Sequence, residues 1–310
     1  LKVYYSIGEF NKPRNAVVTI GTFDGVHKGH QKIIQRINEI AGKEGGETVV
    51  LTFFPHPRMV LHPDDHGLQL LNTLDEKVEL MEHFGVQHLI IYPFTKSFSR
   101  TSVTEYVRNL LVNKIGTKKL VIGYDHHFGR NRAGSLKNLR ELAPVYGYGL
   151  EEIPEQDINN IAISSTKIRN SLLEGDVQTA ADFLGYNYNL TGTVTEGKKI
   201  GRSLGFPTAN ILLKENYKLI PAKGIYAVEV KINHEKFLLK GALSIGNRPT
   251  FDNGPLSIEV NIFDFDRDIY GEKITVYFRY RLRNEIKFNS TDDLIVQMKK
   301  DKKRAEELMK

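Results

Sequence analysis

The chain has no cysteine and no tryptophan among its 310 residues. Without a thiol there is no disulfide, no thiolate nucleophile and no zinc–thiolate site. No apolar run approaches the length of a membrane span. Residues Leu1 to Phe10 lack the apolar core of a signal peptide, so a cytoplasmic location is expected and no membrane partner. A G-x-x-x-x-G-K-[ST] loop is also missing, which removes the P-loop as a route to nucleotide phosphates. No internal repeat or low-complexity segment is visible. What remains is an ordinary globular composition, 40% hydrophobic and 26% charged, in a chain long enough for two cores.

The net charge of +6 raises the question of nucleic acid. Much of the excess sits in Lys299, Lys300, Lys302, Lys303 and Arg304, interleaved with Asp301, Glu306 and Glu307. A solvated helix face accounts for that run, and a polyphosphate substrate would equally favour a mildly basic protein. No nucleic-acid partner is expected.

Two organisations follow one another along the chain. Strand-like runs at Ala16–Ile20, Thr48–Phe54, His88–Phe94, Lys119–Tyr124 and Leu150–Ile153 alternate with helical patterns at Gln31–Ala41, Asp75–Phe84, Val103–Ile115 and Leu136–Leu142. Thr166–Leu173 and Val177–Leu184 continue the helical series. The βα alternation predicts an α/β domain with a doubly wound parallel sheet, its ligand outside the carboxyl ends of the strands. From Tyr188 the pattern becomes six short strands with glycine-rich turns: Asn189–Thr195, Pro207–Leu212, Ile225–Ile232, Phe237–Ile245, Ser257–Phe263 and Lys273–Tyr280. This predicts an antiparallel six-stranded barrel or sandwich, closed by a helix over Thr291–Met309. Asn233-His234 reads as a hairpin turn. The boundary is expected near Gly185, giving domains 1–185 and 186–310.

The most informative stretch is Gly21-Thr22-Phe23-Asp24-Gly25-Val26-His27-Lys28-Gly29-His30. It joins an apolar strand to an amphipathic helix, where backbone N–H groups and the helix dipole favour an anion. His27 and His30 add imidazole donors, and Gly29 removes a side chain that would obstruct a phosphate. A helix start with two surface histidines is the plainer alternative. Farther on, Ile163-Ser164-Ser165-Thr166-Lys167-Ile168-Arg169 opens another helix. An N-cap explains one of its hydroxyls; three hydroxyls with Lys167 and Arg169 also suit a polyphosphate.

These motifs, with Thr52-Phe53-Phe54-Pro55-His56-Pro57-Arg58 and Gly123-Tyr124-Asp125 leading to Phe128-Gly129, resemble the adenylyltransferase module of prokaryotic bifunctional riboflavin kinase/FAD synthetases. The resemblance implies adenylyl transfer from ATP to FMN. It implies nucleotide contacts at Gly21, Phe23, Gly29, Ser165 and Thr166, and catalytic roles for His27, His30 and Arg169. Asp24 and Asp125 become flavin or ribityl contacts, although each also suits a turn. Phe54, Pro55 and Phe128 become flavin-packing residues, although each equally suits the core. His126 stands where the family pattern carries Phe.

In the second half, Gly201-Arg202-Ser203-Leu204-Gly205-Phe206-Pro207-Thr208-Ala209-Asn210 resembles the riboflavin kinase signature, extended by Gly224-Ile225-Tyr226, Gly246-Asn247-Arg248-Pro249-Thr250 and Ser257-Ile258-Glu259-Val260-Asn261. ATP phosphates would lie against the glycines, with Gly201 and Arg202 as nucleotide contacts. In strand alternation Thr208 and Asn210 share a face, and their neutral oxygens suit Mg²⁺. The resemblance makes Glu259 the base for the riboflavin 5′-hydroxyl; from the residues alone a solvent-facing glutamate on an outer strand is the commoner case. Asn261 replaces a histidine common in relatives and cannot titrate. The implied protein converts riboflavin to FMN and FMN to FAD with ATP as co-substrate. A chain with one working activity, or a flavin-binding regulator that has kept the fold, are the alternatives. Oligomeric state is not encoded in any of these patterns.

Overall fold

The computed structural model describes residues 1–64, 68–123, 128–129, 134–154, 163–197, 201, 204–247 and 256–310. Its contacts divide the chain into two compact units, Leu1–Ser165 and Thr166–Lys310.

The first unit is a six-stranded parallel sheet. Its strands are β1 (Lys2–Tyr4), β2 (Ala16–Ile20), β3 (Glu47–Phe54), β4 (His88–Pro93), β5 (Thr117–Gly123) and β6 (Gly149–Ile153). They lie in the order β1-β4-β3-β2-β5-β6. The crossovers contain α1 (Lys28–Glu44), α2 (Pro57–Leu61), α3 (Leu74–His83), α4 (Val103–Glu105) and α5 (Leu136–Tyr146). The chain steps outward from β2 through β3 to β4, then returns to the other side of β2 for β5. The strand order therefore reverses between β2 and β5, where a parallel sheet opens a crevice at its carboxyl edge.

Both faces of the sheet are covered, which is why its central strands carry mostly apolar residues on both sides. On one face Val17, Val50 and Leu89 meet Ile33, Ile34 and Ile37 of α1 and Met81 of α3. On the other, Val18, Leu51 and Leu120 meet Leu110, Leu111 and Leu139. Several features lie outside the expected pattern, the short α2 among them. β1 adds an edge strand in register with β4, Lys2 opposite His88. After α4 the helix widens into a π-type segment, Tyr106–Ile115, ending at left-handed Gly116.

The second unit is the expected closed barrel, in the order β10-β11-β8-β7-β12-β9. These strands are β7 (Asn189–Thr195), β8 (Ala209–Leu212), β9 (Gly224–Ile232), β10 (Leu239–Asn247), β11 (Leu256–Ile262) and β12 (Lys273–Arg283). Asn233 has φ +46°, the left-handed backbone of the anticipated hairpin turn. The carboxyl-terminal helix α8 (Thr291–Leu308) packs Ala305 against Ala227 and Phe263. Asp301 turns inward from the basic run and holds the Arg283 guanidinium at 2.7–3.0 Å.

Helices α6 (Ser165–Glu174) and α7 (Val177–Leu184) sit with the barrel, about twenty residues before the boundary expected at Gly185. The Ala222 N–H donates to the Leu172 carbonyl at 2.9 Å. Arg281 of β12 reaches the Glu174 carbonyl at 2.7 Å. Leu172, Val177, Ala180 and Leu184 are all buried. Burial of an aliphatic side chain stabilises by roughly 1.5–3 kcal/mol. A fragment of residues 166–310 is therefore expected to resist urea more than one of residues 186–310, by roughly 3 kcal/mol or more. Equal unfolding midpoints would show that the two helices contribute nothing to the barrel.

Candidate functional sites

The turn between β2 and α1 is strained. Phe23 and Val26 have φ of +46° and +36°, with Gly25 between them at +85°. Glycine tolerates such a backbone, but a β-branched residue there is a true outlier, at a cost of roughly 1–3 kcal/mol. Hydrogen bonds hold the turn in place. The Thr22 carbonyl accepts from Lys77 Nζ at 2.7 Å and from Thr52 Oγ1 at 3.3 Å. The Val26 carbonyl accepts from Gln31 Nε2 at 2.8 Å. Ser165 Oγ donates to the Asp24 carbonyl at 2.9 Å.

Asp24 itself is buried, and its Oδ1 accepts from the Leu71 N–H at 2.9 Å. That bond gives the carboxylate a turn-holding part. Gly21 stands at the entry, where an added Cβ would press on the Phe23 ring. The chain leaves the turn through His27, the N-cap of α1, which makes no side-chain capping bond. The first turn of α1 carries no acidic residue, so no side-chain carboxylate there offsets the positive end of the helix dipole.

His27 and His30 stack with ring centroids 3.7 Å apart, and Phe23 meets His30 edge-on at 5.1 Å. The Nδ1 atom of each imidazole is buried with no hydrogen-bond partner among the described residues. Burial lowers His27 from 6.5 to about 4, against the opposing pull of the Asp24 carboxylate. Burial first, and then the charges of His27 and Lys77, push His30 well below 6.5. Both rings are therefore neutral at pH 7, each with one N–H to donate. Backbone amides of a helix start beside neutral imidazole donors have the chemistry to receive an anion.

Other expected residues fall in different places. Phe54 packs into the core on the α1 face of the sheet, while Phe128 joins the opposite core and lies 5.0 Å from Tyr106. The two aromatic residues are thus not brought together. Pro55 is exposed. Thr166 is exposed on α6 and Arg169 is half-buried there. Asp125, His126 and Arg202 lie outside the described residues. Lys77 had no place in the sequence-based expectations, although the pattern held a signal. It occupies the buried stripe of α3 one turn before Met81, a position where an unpaired lysine is rare.

In the barrel, β8 begins at Ala209 rather than at Pro207. Proline lacks the ladder N–H, and side chains of β11 hold the segment instead. Asn261 Nδ2 donates to the Pro207 carbonyl at 2.7 Å, and Thr208 Oγ1 donates to Glu259 Oε2 at 3.4 Å. Glu259 pairs in register with Asn210, so Thr208, Asn210 and Glu259 converge. Asn261, which cannot titrate, thus has a positioning part. A Cβ on Gly197 would collide with the Asn210 carboxamide, and one on Gly201 with the Phe206 carbonyl. Only glycine lets the chain approach so closely. A cavity of ≈ 200 Å³, lined by Thr208, Val260, Phe265 and Tyr270 among others, adjoins the cluster.

The neutral His27 has a measurable consequence. The folded state binds its proton only near pH 4, while the unfolded state binds it near 6.5. The stability this group confers is full above 6.5 and is lost as pH falls from there to about 4, a total of about 3 kcal/mol. Chemical denaturation between pH 7.5 and 4.5 should show a shallower decline in His27→Asn than in the unaltered chain. Parallel profiles would remove His27 from this linkage.

Comparison with known proteins gives two family matches, one for each unit, with residues 168–183 between them. The FAD synthetase family model matches residues 9–167 and the riboflavin kinase family model residues 184–309. A bifunctional riboflavin kinase/FMN adenylyltransferase of Listeria monocytogenes is 42% identical over 93% of this chain and 90% of its own length. One of Bacillus subtilis is 37% identical over 94% and 91%. A crystal structure described as a macrolide-efflux protein from Streptococcus pneumoniae is 32% identical, with a TM-score of 0.87 and 98% of both chains covered. Among the described residues no helix is long and apolar enough to cross a membrane. Both modules, in this order on one chain and continuous with relatives along nearly their whole length, make the chain a member of the bifunctional riboflavin kinase/FMN adenylyltransferase family.

Proposed function

We propose that the chain makes FAD from riboflavin in two ATP-dependent steps. The second unit phosphorylates riboflavin to FMN, and the first transfers an adenylyl group from ATP to FMN. The observation that carries the reading is the stacked pair of neutral imidazoles, each with a buried, unpartnered Nδ1, at an uncapped helix N-terminus.

Adenylyl transfer needs no protein nucleophile. An FMN phosphate oxygen attacks the α-phosphorus of ATP, the bond to the β-phosphate oxygen breaks, and pyrophosphate leaves with the electron pair. Charge gathers on phosphate oxygens, so catalysis consists of positioning and fixed donors. His27 and His30 stabilise the triphosphate, with Gly21, Phe23 and Gly29 shaping the nucleotide's approach. Ser165, Thr166 and Arg169 hold the departing phosphates. Phe54, Pro55 and Asp125 are the flavin contacts, Phe128 keeps a core part beside Tyr106, and Asp24 acts through the turn.

In the kinase step the riboflavin 5′-hydroxyl attacks the γ-phosphorus, its proton passes to Glu259, and ADP leaves. Gly201 and Arg202 receive the nucleotide. Mg²⁺ fits the donor set: neutral Thr208 and Asn210 oxygens beside one carboxylate leave coordination positions for phosphates and water. Those two side chains would hold it, and when bound it would neutralise charge on the transferring phosphate. A cytoplasmic setting belongs to this reading; a membrane or nucleic-acid partner does not.

Replacing His27 or His30 with Ala should remove about 2–4 kcal/mol of transition-state stabilisation from FAD formation, leaving FMN formation intact. Equal loss of both activities, read by chromatographic separation of the flavins, would refute the two-site assignment. Glu259→Gln keeps the shape and loses proton acceptance, so kinase turnover should fall about 10²–10⁴-fold while FAD synthesis from supplied FMN persists. Near-normal kinase turnover would exclude Glu259 as the base.

A further inference from the structure

Lys77 is buried on the core-facing side of α3, and its Nζ donates to the Thr22 carbonyl at 2.7 Å. Filling that place with leucine or methionine would avoid desolvating a cation. The segment around it is locked to the same turn a second time, through the Leu71 N–H on Asp24. A capping box then fixes where α3 starts: Thr73 Oγ1 accepts from the Glu76 N–H, and Glu76 Oε2 accepts from the Thr73 N–H. The Lys77 N–H in turn bonds the Thr73 carbonyl at 3.0 Å. The ammonium is therefore held at one place under the turn.

We propose that Lys77 is a positioning residue of the adenylyl-transfer site: fastened to the Thr22 carbonyl, it holds the strained turn and places a fixed positive charge behind His27 and His30 for the incoming triphosphate. The proposal rests on the adenylyltransferase reading of the first unit. The charged and titratable groups facing the histidine pair among the described residues are Asp24 from the turn, Lys77 from α3 and each histidine toward the other. Asp24 favours protonation of His27, while Lys77 opposes protonation of His30. Burial lowers Lys77 from its ordinary 10.5, and the Asp24 carboxylate opposes that shift in favour of the charged form. The lysine thus serves two ends with one charge. It balances Asp24, and it adds to burial in keeping His30 a neutral donor while supplying positive charge toward a polyphosphate.

The test compares Lys77→Met, Lys77→Gln and Lys77→Arg in the full chain. Nuclear magnetic resonance with labelled histidine reads the titration of His27 and His30 directly. Loss of the charge should raise the His30 titration, with His27, on which burial and Asp24 act, as the reference in the same spectra. Adenylyl transfer should fall about tenfold to a hundredfold in Lys77→Met. Lys77→Arg should restore the His30 titration and most of the rate, and riboflavin phosphorylation by the same samples serves as the control. Lys77→Gln keeps a donor without the charge and decides the matter if Lys77→Met does not fold. A His30 titration unmoved by loss of the charge would overturn the proposal, as would a raised one with an unchanged transfer rate. If the unaltered chain makes no FAD, the adenylyltransferase reading falls, and the titrations still decide whether Lys77 sets the charge of the pair.

Discussion

The candidate site of the first unit depends on a backbone turn that would not hold its shape alone. Phe23 and Val26 occupy left-handed conformations that a free chain would relax. They persist because the Thr22, Asp24 and Val26 carbonyls and the Asp24 carboxylate are all engaged, by Lys77, Thr52, Ser165, Gln31 and Leu71. A hydrogen bond contributes a net ~1 kcal/mol, so a handful outweighs the strain of two residues. What the strain provides is placement. The chain enters α1 with its N-terminus uncapped, and the two imidazoles stack where the strand order reverses.

The barrel solves a comparable problem by different means. The Pro207-Thr208 segment lies outside the ladder that begins at Ala209. Side chains of β11 replace the missing pairing: Asn261 takes the Pro207 carbonyl and Glu259 takes the Thr208 hydroxyl. In both units the chemical groups sit where regular hydrogen bonding stops and side chains take over. A site there can present unpaired donors and oxygens to a ligand without unravelling a strand or a helix. The bond between Asn261 and Pro207 also gives a physical part to a residue with no acid–base chemistry.

Much of this architecture was legible in the chain before folding. Largely apolar runs such as Ala16–Ile20, with Thr19 its single hydroxyl, imply a strand buried on both faces, and the stripe Ile33, Ile34, Ile37, Ile40, Ala41 implies a helix laid on it; both are observed. The alternation around Glu259 likewise separates Ile258, Val260 and Ile262, all buried, from the face that carries the carboxylate. The short β1 was not legible. Three residues carry no period, and only pairing with β4 makes them a strand. Nor was the attachment of α6 and α7 to the barrel, which rests on Arg281 and Ala222, residues far along the chain.

The sequence alone determined the element types, the order of the two modules and the presence of H-x-G-H at a strand-to-helix turn, because periodicity and turn chemistry act over a few neighbouring residues. Tertiary structure decided what each polar group does. Asp24 reads equally as ligand contact or turn residue until Leu71 is seen donating to it. Phe54 and Phe128 look equivalent in the chain and pack on opposite faces of the sheet. Lys77, 47 residues beyond His30, reads as a misplaced charge on an apolar stripe. Burial, hydrogen-bond pairing and the field at an imidazole depend on distances in space, which only the folded chain sets.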